Sequence, residues 1–484
     1  MPHQTVRAQP SLEFIPPALN PSLVRIVQWL LPTWIHWQTE IADVQGENVE
    51  ILLDLYEQFR AGKTRFLIAF RHPSANDPIC LAYLLSHIAP KVARQRQMSF
   101  KAPLHTHFIY DRGIPLWAGS IMGWLYSQLG GTPILRGKVD RQGLRSARDL
   151  FVNGKFPLAA SPEGATNGHS EIVSPLEPGL AQMSFWCVED LLKAGRSEQV
   201  CIVPVDIQYR YITPPWQALE QLMGEMEADS GIAEKIKGGG RESAAEISGL
   251  SGSEAQLYQR LYQMGEYLLS VMEQFYSRFY HQSLPGLKAV EEATNPANEP
   301  AKIPLSHEEF AARLNALLDV ALTVAEQYFN LSPKGSLIDR CRRLEQAGWD
   351  YIYREDIKQL EALSPLERGL ADRVAEEADL RVWHMRLVES FVAVTGHYVL
   401  EKPTVERFAE TSLLMWDVIA RIKGGNPFDR PKLGKQRAQL KVGQPISVSD
   451  RWEAYHSNRR AAKQAVADLT QDLQAALEGM STQA

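Results

Sequence analysis

Cysteine is scarce in this chain. The four present, Cys80, Cys187, Cys201 and Cys341, are far apart and form no CxxC pair. That spacing excludes a disulfide framework and a paired CxxC metal site, and it fits a reducing, cytosolic setting. An excess of positive charge is also lacking. The 51 Lys and Arg stand against 57 Asp and Glu, a net charge of -6, which argues against a nucleic-acid binder. No apolar run reaches the roughly 20 residues that a membrane-spanning helix needs. The stretch at 114–127 is too short, and 22–37 is interrupted by Arg25, Gln28 and Pro32. Residues 1–20 hold no apolar core of a signal peptide. No repeat of fixed period is present. What remains is an ordinary globular composition, 45% hydrophobic and 22% charged over 484 residues. Such a chain can bury a large core, as two to four domains or as one large domain with an insertion.

The order of patterns suggests four segments. Residues 1–48 read as an arm followed by an amphipathic helical segment at 22–37. Trp29, Trp34 and Trp37 mark that segment as a membrane-interface helix or as a helix packed on the protein's own core. Pro32 should kink or break it. Residues 49–213 alternate between helical and strand-like patterns. Strands are expected at 65–70, 107–110, 133–136, 156–161 and 201–209, and helices at 49–61, 77–95, 114–129, 141–152 and 176–194. This succession argues for an α/β layer architecture. Residues 214–430 are an all-α insertion, with helices expected at 253–280, 307–329, 366–397 and 403–422. Ser306 with Glu309, and Ser364 with Glu367, read as capping boxes. The glycine-rich 237–253 reads as a loop and 283–304 as a polar linker. Residues 431–484 return to a strand at 439–448 and a helix at 449–478, closing the α/β domain.

Three clusters at strand ends carry possible chemistry. His72 and Asp77 follow the first buried strand. The carboxylate can bend back to one ring nitrogen and leave the other as a base. The alternative is a turn in which Asp77 caps the next helix. Pro162, Glu163 and Gly164 form a sharp turn after the 156–161 strand. Glu163 can bond a substrate hydroxyl or a neighbouring Arg, and the Gly164 N–H can meet an oxyanion. The alternative is an ordinary turn. Arg136, Lys138 and Arg141 can clamp a phosphate, or simply lie on a solvated surface. His105 and His107 share a strand face, but no further ligand completes a metal site. No metal or cofactor is expected.

These blocks, taken in order, resemble the PlsC-type glycerolipid acyltransferases. His72-x4-Asp77 is similar to the first family block and Gly131–Arg136 to the second. Pro162-Glu163-Gly164 is similar to the third and Ile202–Val205 to the fourth. Residues 44–52 look like the family's lead-in, and Val442–Ile446 like its closing Gly-x-Pro-Ile. The likeness covers roughly residues 20–213 and 436–480. Two places depart from the family pattern: Arg71 stands where Asn is common, and Ala165-Thr166-Asn167 where Thr-Arg-Ser is usual.

The resemblance implies a mixed sheet flanked by helices, the glycerolipid acyltransferase fold. It implies transfer of an acyl chain from acyl-ACP or acyl-CoA to lysophosphatidic acid. His72 would be the base and Asp77 its orienting partner. Arg136 would bind the acceptor phosphate with Lys138 or Arg141, and Pro162, Glu163 and Gly164 would shape the acceptor site. The acyl chain would lie near 114–127. Residues 22–37 would hold a cytoplasmic, peripheral protein to a membrane, and the insertion would be free to take a protein partner. Two alternatives are glycerol 3-phosphate or another lysolipid as acceptor, and a non-catalytic lipid-binding scaffold.

Overall fold

The computed structural model describes residues 6–100, 103–135, 140–232, 252–284, 305–390, 398–427 and 429–481. The chain divides into two compact units. One comprises residues 12–213 and 434–484, the other residues 1–11 and 214–433. Residues 1–48 are therefore divided between the units. Residues 1–11 group with the helical unit, and residues 41–47 form a strand of the α/β unit.

Ten strands occur among the described residues. They are β1 (Gln9–Pro10), β2 (Ile41–Glu47), β3 (Thr64–Phe70), β4 (His107–Asp111), β5 (Gly131–Ile134), β6 (Leu158–Ala160), β7 (Gln199–Tyr211), β8 (Tyr353–Arg354), β9 (Gln436–Val442) and β10 (Ile446–Ser447). The α/β unit holds one mixed sheet in the order β2-β9-β7-β3-β6-β4-β5, with β10 paired to β7. The pairs from β7 through β3, β6 and β4 to β5 are parallel. β9 runs antiparallel to β7 and parallel to β2.

All seven residues of β3 are buried, as expected of a strand covered on both faces. Side chains alternate across a strand. Phe66, Ile68 and Phe70 thus join one core with Leu52, Tyr56 and Leu84. Leu67 and Ala69 join the other with Phe151, Phe185 and Leu473. The C-terminal helix Arg459–Ser481 belongs to this second core through Leu469, Leu473 and Leu477.

Helix Pro21–Gln38 starts at Asn20, whose side chain accepts from the Ser22 and Leu23 N–H groups. It runs through Pro32 without a break, contrary to the sequence expectation. Proline removes one backbone bond there, but Val24, Leu31 and Ile35 are buried on both sides of it. The 77–95 segment is helical with a π-turn at Leu84–Ile88. The segment expected at 114–129 is two helices, Ile114–Ala118 and Ser120–Gln128, separated by Gly119 at φ 90. The C-terminal segment likewise divides into Trp452–Ser457 and Arg459–Ser481.

In the helical unit the principal helices are Trp216–Ser230, Gly252–Tyr280, His307–Phe329, Leu337–Ile352, Pro365–Glu389 and Val405–Ile422. Both expected capping boxes form, and a third pairs Ser336 with Asp339. Arg340 meets Glu326 at 2.8 Å within this unit, both side chains buried. Residues 237–251, 285–304 and 391–397, assigned above to a loop, a linker and a helix end, lie outside the described residues.

Candidate functional site

Strand β3 ends at Phe70, and the Arg71 N–H still bonds the Val205 carbonyl of β7. The chain then turns through His72-Pro-Ser into the helix Asp77–Tyr83. The helix cap is Asn76, and Asp77 is its first residue, with its side chain folded back. Asp77 Oδ2 accepts the Ser74 N–H at 2.7 Å and meets His72 Nδ1 at 2.9 Å. Asp77 Oδ1 accepts the Tyr209 hydroxyl at 2.5 Å. An ionised carboxylate only accepts. With Asp77 ionised, the bond assigns the proton to His72 Nδ1, and in the neutral ring Nε2 then carries the lone pair. The Asp77 side chain is fully buried, whereas that of His72 is 23% exposed.

Burial pushes the Asp77 carboxyl above the usual range, opposed by the bonds from His72, Tyr209 and Ser74. Burial and the neighbouring Asp77 hold the Tyr209 hydroxyl well above its ordinary value, so Tyr209 remains a donor at neutral pH. Each pair thus serves the next: Tyr209 fixes Asp77, and Asp77 fixes the ring of His72.

The second cluster follows β6. Glu163 is buried. Its Oε1 accepts the His72 N–H at 2.8 Å. Its Oε2 accepts the Asn167 amide at 2.8 Å and the Ser174 N–H at 3.0 Å. Arg71 Nε lies 3.5 Å from Oε1. A neighbouring Arg, one of the two partners expected for Glu163, stands beside it, and the Glu163 carboxylate braces the His72 backbone. Gly164 has φ 74, a left-handed conformation that favours glycine. The Pro162 carbonyl accepts the Glu177 N–H. The Pro-Glu-Gly turn is thereby joined to the His72 turn.

Arg71 is wholly buried. Its guanidinium donates to the carbonyls of Ser170 (2.5 Å), His169 (3.1 Å) and Ile172. It also meets Asp206 at 3.4 Å and the Ser481 hydroxyl at 3.2 Å. Ser481 donates in turn to Asp206 at 2.8 Å. This departure from the family pattern is a buried cation that ties the His72 turn to the 169–172 loop, β7 and the C-terminal helix.

The third cluster is described only in part. Arg136 and Lys138 lie outside the described residues, and the strand expected at 133–136 is β5, which begins at Gly131 and ends at Ile134. Arg141 is exposed at the first turn of helix Arg141–Asn153. Asp140 caps that helix through the Gly143 N–H and pairs with Arg112, which follows β4, at 2.5 Å.

Sequence reading missed Arg112 and Tyr209. Arg71 and Asn167 were noticed only as departures from the family pattern. Tyr209 lies in an almost wholly buried strand that also carries Asp206 and Gln208, and polar residues in such a run are the one available hint. Replacing Tyr209 by Phe removes one of three bonds that favour the ionised Asp77. The acid limb of any His72-dependent rate is then expected to begin at higher pH. A pH–rate profile of both proteins checks this, and superimposable acid limbs would count against it.

Burial raises the Cys187 and Cys201 thiols to about 12, which disfavours their thiolates. His105 precedes β4 rather than lying on it. His105 and His107 donate to the successive carbonyls of Leu129 and Gly130 at 2.9 Å. Among the described residues, no group of three or more His, Cys, Asp or Glu could hold a metal ion.

Helix Pro21–Gln38 presents an apolar face to solvent. Ile26, Trp29, Leu30, Trp34 and Trp37 are exposed, with Trp29 at 77%. Their spacing puts them on one side, opposite buried Val24, Leu31 and Ile35. In the same unit Ile121 and Trp124 are also exposed. No helix among the described residues is long and apolar enough to cross a membrane. No protein-family model, no curated protein and no solved structure matches the chain.

Proposed function

We propose that the chain is an O-acyltransferase that moves a fatty acyl group from an acyl-ACP or acyl-CoA thioester to lysophosphatidic acid. The observation that carries this reading is the bond from His72 Nδ1 to buried Asp77, which leaves Nε2 of a partly exposed ring as a base. The ordered likeness of the sequence blocks to those of PlsC-type acyltransferases, together with a mixed sheet flanked by helices, supports it.

His72 Nε2 takes the proton of the acceptor hydroxyl as its oxygen attacks the thioester carbonyl. Asp77 stabilises the imidazolium. The tetrahedral intermediate collapses, the C–S bond breaks, and the imidazolium returns its proton to the leaving thiolate. No covalent acyl-enzyme is needed. In this reading Arg136, with Lys138 or Arg141, holds the acceptor phosphate. Glu163 acts through the backbone that it braces and is a positioning residue. Pro162 and Gly164 shape the turn beside it.

The exposed Trp29, Trp34 and Trp37 would hold the protein peripherally on the cytoplasmic side of a membrane. That helix carries one Arg and no Lys, so binding should rest on apolar burial rather than on anionic lipid. Replacing the three Trp by Ser is expected to weaken vesicle binding at least about tenfold, and added salt should change it little. Vesicle co-sedimentation measures both. Unchanged binding by the triple variant would remove this helix from the reading.

The test of the acceptor offers labelled acyl-ACP and acyl-CoA with lysophosphatidate, glycerol 3-phosphate or a neutral lysolipid. Preference for lysophosphatidate supports the phosphate assignment. A neutral lysolipid used equally well would overturn it. Absence of transfer with every pair would favour a lipid-binding scaffold.

A further inference from the structure

The helical unit contains an apolar cavity of about 90 Å³. On helix Gly252–Tyr280 its wall runs from Tyr258 to Tyr276, including Leu261, Leu268 and Met272. At 1.5 Å per residue that is roughly 27 Å of helix. The facing wall comes from Leu314 and Leu318 of helix His307–Phe329 and from Met415 and Val418 of helix Val405–Ile422. The lining thus extends along one direction between these helices.

The wall presents carbon. Its hydroxyls are already bonded to protein: Tyr262 to the Leu305 carbonyl, Tyr276 to His384, and Thr411 to the Arg407 carbonyl. Tyr258 has its hydroxyl 3.5 Å from His307 Nε2. Among the described residues the lining is almost wholly carbon, so the part a ligand inserts should be hydrocarbon. Such a space stays dry when empty. Gly265 lies at the middle of the wall, in a helix interior where glycine is unfavourable. A Cβ there would come within 3.2 Å of Met415 and 3.3 Å of Phe310. The glycine keeps the slot open, and Met272 and Met415 are side chains that re-pack readily.

We propose that this slot binds one unbranched fatty acyl chain, with its polar end outside. Binding here is independent of any reaction at His72. The chain can arrive as a free fatty acid or as the acyl part of a thioester, and both present the same hydrocarbon.

The test uses the full-length protein and a photoreactive fatty acid, with the labelled peptides mapped by mass spectrometry. Label is expected on helices Gly252–Tyr280, His307–Phe329 and Val405–Ile422, saturating at one chain per protein. Excess unlabelled fatty acid should compete. Competition by long-chain acyl-CoA as well would mean that the slot accepts thioesters, and its absence would restrict the slot to free acids. Gly265→Leu should lower labelling of these helices at least about tenfold, whereas His72→Ala should leave it unchanged. Val418→Phe fills the slot from another wall and should act alike if Gly265→Leu fails to fold. Label confined to residues 12–213, unsaturable label, or full labelling of both filled variants would overturn the proposal. Loss of acyl transfer alone would not touch it.

Discussion

Replacing His72 by Ala is expected to lower acyl transfer by about 10²–10⁴-fold, the usual worth of a positioned general base. The melting temperature should hardly change, because the ring is partly exposed and its side-chain hydrogen bond is to Asp77. Asp77 would keep its bonds from Tyr209 and Ser74. This separation of activity from stability is what distinguishes a base from a structural histidine. A variant that melts early and transfers acyl groups normally once refolded would place His72 among the packing residues. Adding imidazole to the alanine variant gives a further reading, since a small base can partly refill the space. Recovery of rate without recovery of stability is the expected pattern.

The second large effect falls on stability. Arg71→Met retains much of the side-chain length and removes the charge. Asp206 and Glu163 would then remain buried without their shared cation, and the carbonyls of His169, Ser170 and Ile172 would lose a donor. Leaving one partner of a buried ion pair uncompensated costs about 3–5 kcal/mol. The thermal transition of the α/β unit should fall by several degrees in consequence. Melting of the full-length chain, followed by near-ultraviolet circular dichroism, measures this. A melt superimposable on wild type would show that the cluster is held by its backbone alone. The double variant Arg71→Met with Asp206→Asn should recover part of the loss, because it removes one stranded charge as well as the cation.

These two residues show what the sequence can and cannot convey. His72 and Asp77 are five positions apart, so a single turn can bring them together, and residue types at that spacing suffice to suggest the pair. Glu163 bonds the His72 backbone from 91 positions away, and Tyr209 bonds Asp77 from 132 away. Those contacts depend on strand order. β6 inserts between β3 and β4, and β7 lies on the other side of β3. No local pattern encodes that order. The buried run at 65–70 was legible because a strand covered on both faces is largely apolar. β2 was missed because only Ile41 and Val44 of its seven residues are buried, too few to give a strand signal. Pro32 was read as a kink or break because propensity rules weigh one lost bond, whereas the burial of Val24, Leu31 and Ile35 carries the helix through it. Arg71 looked like a mere departure from a family pattern, and only the folded chain shows what it ties together.

The most direct measurement is product formation by full-length protein on lipid vesicles containing lysophosphatidate, with a labelled acyl thioester as donor. Wild type, His72→Ala and Asp77→Asn are compared at matched folded concentration, with product identified by mass spectrometry. The account predicts phosphatidate from wild type and rates at least about a hundredfold lower from both variants. Phosphatidate formation by His72→Ala at the wild-type rate would contradict it.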